Sequence, residues 1–203
     1  MSSHVQPRIE SGSYVRPCDG ETLSGDAVFV QSAQEGVLAA VIDALGHGAD
    51  AHRLSLRLSE VLSGWLPGAS SPSPEIALGM LHEYARGTRG AVATVAWLNS
   101  STLEGSVAGI GNVRCRLFGT VTRSIDFGDG VLGHRMRSPR MFSLALQPAD
   151  VVLLFSDGVA GRFRIDDYPS LGLDPAPAIA FNIVTRFSRG TDDASCAVIR
   201  CRR

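Results

Sequence analysis

Apolar residues recur at helical spacing in three stretches of this chain and as short, strand-length runs through most of the rest. The first helix is expected over residues 50–65, where Leu54, Leu58, Val61, Leu62 and Trp65 fall on one face. A second is expected after Ser73. Ser73 suits the N-cap, Pro74 suits the first helical position, and Ile76, Met80, Leu81 and Tyr84 share a face. Asp174 followed by Pro175 repeats that start signal for a third helix, whose apolar face comprises Ile179, Ile183, Val184 and Phe187. The first two helices are separated by a Pro- and Ser-rich loop, residues 67–74, which need not divide the chain.

The other apolar runs are strand-sized and β-rich. Strands are expected at 27–30 and 37–42 around a turn at 31–36. Others are expected at 91–98, 103–110, 113–118, 121–125, 141–146, 151–155 and 194–201. Many antiparallel-type strands with few, grouped helices define an α+β layered domain. The helices must cover the apolar faces of the sheets. Sheets are therefore expected inside and helices outside, in one domain spanning residues 1–203.

With 203 residues, 44% of them apolar, the chain can bury one sizeable core. A formal net charge of -1 gives no reason to expect binding to nucleic acid or anionic membranes. Arg135, Arg137 and Arg140 form a local basic cluster, which taken alone reads as a solvated face. No basic segment followed by an apolar run opens the chain, and no apolar stretch approaches the ~18 residues of a membrane span. Cys18, Cys115, Cys196 and Cys201 make no C-x-x-C pair and read as reduced thiols of a cytoplasmic protein.

Candidate chemistry concentrates in four acidic segments, each beside an apolar run. They are Ser24-Gly25-Asp26, Asp43-Ala44-Leu45-Gly46-His47-Gly48, Ser156-Asp157-Gly158 and Thr191-Asp192-Asp193. A buried strand that ends in Asp projects its carboxylate from a rigid element. Converging carboxylates repel one another unless a cation sits between them, and hard oxygen donors suit magnesium or manganese. Taken singly, each Asp can equally be a turn residue or a helix N-cap.

Taken together and in this order, the four segments resemble the metal-dependent (PPM) protein phosphatase family, in its SpoIIE-like bacterial branch. Gly109-Ile110-Gly111-Asn112-Val113, Gly130-Val131-Leu132-Gly133 and Leu146-Gln147-Pro148-Ala149-Asp150 add to the resemblance, which runs from Ser24 to Arg200. The Leu45-Gly46-His47-Gly48 form looks most like the stressosome phosphatases of that branch. The resemblance implies an α-β-β-α sandwich and a site for two manganese or magnesium ions. It implies that Asp43 bridges both ions, that Asp26 and the Ala44 carbonyl serve one, and that Asp157 and Asp192 serve the other. Asp193 is the alternative to Asp192. The implied activity is serine/threonine protein phosphatase, with a metal-activated water attacking the phosphorus of a phosphorylated partner in a stress-signalling complex. A monomer that binds neither nucleic acid nor membrane is expected.

Several positions depart from the family pattern. Ala44 stands where most members carry Gly, and its carbonyl can still serve if φ there is negative. His47 is a candidate general acid for the leaving oxygen, or else it orders its loop. No motif supplies a phosphate-binding Arg, and Arg16 is placed only by its order in the chain. Ser24 and Ser156 are expected to orient the neighbouring ligands. His52, His82 and His134 are expected at the surface or in packing, and Trp65 and Trp97 in packing. The Gly-rich, basic segment 123–140 is expected to help choose the substrate. Two other readings compete. One is a catalytically weak pseudo-phosphatase that docks a partner, suggested by Ala44 and the missing Arg. The other is hydrolysis of a phosphodiester.

Overall fold

Six consecutive apolar residues, Val37 to Ile42, form a strand buried on both faces. That strand is β3 (Gly36–Ala44). Leu38, Ala40 and Ile42 point one way and Val37, Ala39 and Val41 the other, and each set joins a different core. The computed structural model describes residues 9–69, 72–161, 163–164, 167–168, 170 and 173–202. The ends of the expected 1–203 domain and residues 70 and 71 of the expected loop lie outside them.

Two antiparallel five-stranded sheets form the centre. One has the order β2-β3-β4-β5-β8, with β2 (Asp26–Ala33), β4 (Ala91–Asn99), β5 (Glu104–Ile110) and β8 (Phe142–Ala145) around β3. The other has the order β1-β10-β9-β6-β7, built from β1 (Ile9–Arg16), β6 (Arg114–Phe118), β7 (Arg123–Ile125), β9 (Val151–Phe155) and β10 (Ala194–Cys201). Helices α1 (Ala49–Trp65) and α2 (Pro74–Tyr84) cover the first sheet through Leu58, Leu62, Leu78 and Leu81. Helix α3 (Ala176–Phe187) covers the second through Ile179, Ile183 and Val184. Val41, Leu98, Val107, Leu154 and Ile199 fill the space between the sheets. The result is the expected four-layer α-β-β-α sandwich. No helix among the described residues is long and apolar enough to cross a membrane.

The structure corrects four local expectations. Strand β1 was not anticipated. Its sequence, IESGSYVR, is largely polar, and it forms by pairing along its whole length with β10 at the edge of a sheet. The buried face of α2 is Ala77, Leu78 and Leu81, whereas Ile76 and Tyr84 are exposed. Ser73 occupies the N-cap of α2 with extended backbone but makes no capping hydrogen bond through its side chain. The third helix starts one residue late, because Pro175 is its cap and Asp174 accepts hydrogen bonds from Tyr168 Oη (2.7 Å) and Ser170 Oγ (2.8 Å).

Candidate metal centre

Asp26 opens β2 and Asp43 lies one residue from the end of β3, and the two are direct cross-strand partners. The Ala44 N–H donates to the Gly25 carbonyl at 3.2 Å, which makes residues 25 and 44 the hydrogen-bonded pair. The alternation of an antiparallel ladder then makes Asp26 and Asp43 the non-hydrogen-bonded pair, whose side chains stand closest together. The other sheet contributes from the same end of the sandwich. Asp157 follows β9, and Asp192 and Asp193 precede β10. The sheets thus bring all four acidic segments into one corner.

Electrostatics report the convergence. Burial raises the Asp43 carboxyl to about 8, and Asp26, Asp157, Asp192 and Asp193 add to the rise. Burial raises Asp26 to about 7, while the hydroxyls of Ser156 and Ser195 pull it down. Asp157 is also raised, first by burial and then by Asp192, with Arg189 and Arg114 opposing.

The two acids of the fourth segment have different work. Asp193 is buried, and both its oxygens are engaged: Oδ1 accepts from Cys18 N–H at 2.9 Å and Oδ2 from Gly25 N–H at 2.6 Å. Asp192 is exposed and, among the described residues, accepts the Asp193 N–H alone, through Oδ1 at 2.9 Å. Asp193 therefore ties the β1–β2 loop to the start of β10, whereas Asp192 stands exposed beside it. The tie has a second effect. The Gly25 N–H, which would complete the ladder pair with the Ala44 carbonyl, is diverted to Asp193, so that carbonyl lacks its strand partner.

Neighbouring groups fix the loops. Ser24 Oγ accepts the Asp26 N–H at 3.0 Å, and Ser156 Oγ accepts the Ser195 N–H at 2.9 Å. His52, on α1, donates from Nδ1 to the Ser24 carbonyl at 2.8 Å. Arg89 donates to the carbonyls of Leu45 (3.0 Å) and His47 (3.5 Å), pinning the loop after Asp43. Gly158 is required by space, because a Cβ there would lie 2.0 Å from the Asp193 carbonyl oxygen. His47 is exposed, with Nδ1 3.6 Å from Glu21 Oε1. Arg16 is paired with Asp19 and donates to Ser188 Oγ, both at 2.5 Å. His82 Nδ1 accepts the Gly133 N–H at 3.1 Å, and His134 Nε2 donates to the Thr88 carbonyl at 3.0 Å.

Two groups that sequence reasoning left without a role stand out. Asn112 donates to Asp157 Oδ2 at 2.7 Å, and Arg114 lies near enough to Asp157 to favour its charge. Both line a cleft of about 370 Å³ with Asp43, Asp126 and Asp129. The Gly-Asn dipeptide between β5 and β6 was the available signal. Its partner, 45 residues away in the chain, was not.

Among the described residues no three His, Cys, Asp or Glu side chains are arranged to enclose an ion as they stand. The donor set nevertheless fits a hard divalent cation. Asp26 Oδ2 is buried without a hydrogen-bond partner, the Ala44 carbonyl lacks its ladder partner, and two like-charged groups oppose each other at close range. Among the described residues the positive-φ non-glycine ones are Leu103 and Ala149, so Ala44 meets the negative-φ condition.

This sandwich, with acidic residues gathered at one end of both sheets, is the fold of the PP2C-type, metal-dependent phosphatases. A chain solved in work on the bacterial stressosome as a modular system adapted to control secondary messenger signalling superposes with a TM-score of 0.82 at 24% identity. That match covers 95% of this chain and 100% of the other. RsbX, solved in complex with magnesium, gives 0.80 at 18% identity over 97% and 98% of the two chains. The phosphatase domain of SpoIIE from Bacillus subtilis, with a fragment of its regulatory domain, gives 0.77 at 19% over 97% and 64%. At these identities the likeness is one of fold. No family model and no curated protein sequence matches the chain.

Proposed function

We propose that this protein is a metal-dependent serine/threonine protein phosphatase acting on a phosphorylated partner of a stress-signalling complex. The observation that carries the reading is the opposed Asp26–Asp43 pair, set in the same corner as Asp157 and Asp192. RsbX and the stressosome-related chain, which share the fold over nearly their full length, support the choice of partner class.

In this reading Asp26, Asp43 and the Ala44 carbonyl would hold one manganese or magnesium ion, and Asp43, Asp157 and Asp192 would hold the second. Such ions lower the pKa of bound water and offset charge on phosphoryl oxygens. The chain's other groups position and balance these ligands. Asn112 fixes the orientation of Asp157, and Asp193 fixes that of Gly25 and hence of Asp26. Arg114, which lines the cleft with its ion-pair partner Asp126 (3.9 Å), brings positive charge to Asp157, whereas Arg16 is committed to Asp19 and Ser188. His47 is the proposed proton donor to the leaving oxygen, and loss of the alkaline limb of the kcat profile in His47→Ala would test that role.

The decisive assay is phosphate release from p-nitrophenyl phosphate and a phosphoserine protein with manganese, comparing the native chain with Asp43→Asn. Turnover that Asp43→Asn abolishes is expected. A folded preparation without turnover, binding no manganese at millimolar concentration, would instead be a partner-docking module.

A further inference from the structure

A second cavity, of about 520 Å³, adjoins the metal-centre cleft, and the two share Asp129 and Gly130 as a common wall. Its lining is basic, with Arg135, Arg137 and Arg140. Neither Arg135 nor Arg137 has an ion-pair partner among the described residues. Arg140 is held by stacking over the Phe142 ring, 4.9 Å from its centroid, and not by a carboxylate.

The segment carrying these arginines is stitched to the sandwich. Leu132 and Ala91 exchange backbone hydrogen bonds (2.8 and 3.3 Å), Gly111 N–H donates to the Gly128 carbonyl (2.9 Å), and Val131 N–H donates to the Arg135 carbonyl (2.8 Å). The three arginines therefore line a concavity whose backbone is fixed to the sandwich, which a merely solvated charged surface would not build.

We infer that this cavity is an anion subsite, which holds the aspartate or glutamate side chains flanking the phosphorylated residue of the substrate. The inference rests on the phosphatase reading for the phosphoryl group alone. A guanidinium presents a planar fork of donors that matches a carboxylate, and the cavity lining counts three arginines against one acidic residue, Asp129. The shared wall puts the flanking residues of an extended peptide into the basic cavity when its phosphoseryl group enters the cleft. Asp126 and Asp129 along the cleft, with a net charge of -1, oppose a continuous nucleic-acid backbone but not a short acidic segment.

The test has separable arms. Turnover of p-nitrophenyl phosphate by the native chain tests the phosphatase reading and does not involve the subsite. Phosphoserine peptides with acidic or neutral flanks are then compared on the native chain and on Arg135→Ala/Arg137→Ala, both substituted residues being exposed. The preference for acidic flanks should fall about tenfold in the variant, through KM and not kcat. In a third arm, fluorescence anisotropy follows an unphosphorylated, fluorescein-labelled Asp/Glu-rich peptide. The native chain should bind it more tightly at low salt, and the double variant about tenfold more weakly. Equal affinity of the native chain for acidic and neutral peptides, or an unchanged affinity in the variant, overturns the subsite. The peptide-binding result stands even if no phosphate is released, so the two readings fail separately.

Discussion

Asp26 and Asp43 are held with their carboxyl groups opposed across two strands, a placement that like charges resist. In the metal-free protein the cost is met by protonation, and this fixes the sign of a pH effect. An unfolded Asp titrates near ~3.9, whereas the folded values are about 7 for Asp26 and about 8 for Asp43. The folded chain thus keeps protons that the unfolded chain releases. Their contribution is fully present below the unfolded pKa and lost as pH rises through the folded values. Melting in chelator should give a higher Tm at pH 5.5 than at pH 8.5, with the slope reduced in Asp26→Asn/Asp43→Asn. A Tm that rises over this range would contradict the assignment. The adjacent acids 192 and 193 should separate in the opposite manner. Asp193→Asn leaves the Cys18 or Gly25 N–H facing an amide NH₂ and should lower stability by about 1–3 kcal/mol. Asp192→Asn should leave Tm nearly unchanged and remove most of the manganese-dependent turnover. Chemical denaturation and phosphate-release assays on the pair distinguish the clamp from the ligand.

At the level of elements, the legible parts were those whose pattern is local. The face of α1 reads directly from Leu54, Leu58 and Leu62, which are all buried, and β3 and β9 announce themselves through the unbroken apolar runs 37–42 and 151–155, with β4 and β10 largely apolar around Thr94, Ser195 and Arg200. Strand β1 could not be read, because its ladder with β10 pairs residues 178 to 192 positions apart, from Arg16↔Ala194 to Ile9↔Cys201, and does not depend on its own polar sequence. The turn before β9 holds a different kind of information. Ala149 has φ 79°, a conformation that costs an L residue and suits Gly. Asp150 fastens that turn, accepting from Thr120 N–H and Gln147 N–H, both at 2.9 Å. Ala149→Gly should therefore raise stability by about 0.5–1 kcal/mol, offset only in part by the freer unfolded chain. The corresponding change in Tm is roughly 2 °C, measurable by calorimetry.

Across the whole molecule, the four acidic segments were visible in the sequence because each sits beside a strand, and their order carried the resemblance. Their division of labour was not visible. Whether Asp192 or Asp193 is free depends on where the N–H groups of Cys18 and Gly25 point, which only the packing of the two sheets decides. The same packing gives the final prediction. Asp26 and Asp43 belong to one sheet and Asp157 and Asp192 border strands of the other, so an ion held between them staples the two layers. A ligand bound only by the folded state at a hundred times its Kd stabilises by about 2.7 kcal/mol, or roughly 5–10 °C in Tm for a domain of this size. Manganese should produce a shift of that order, and Asp43→Asn should erase most of it. Because the ion must displace protons from Asp26 and Asp43, the shift should be larger at pH 8 than at pH 6. A shift of equal size in Asp43→Asn, or one that shrinks as pH rises, would place the ion elsewhere on the protein.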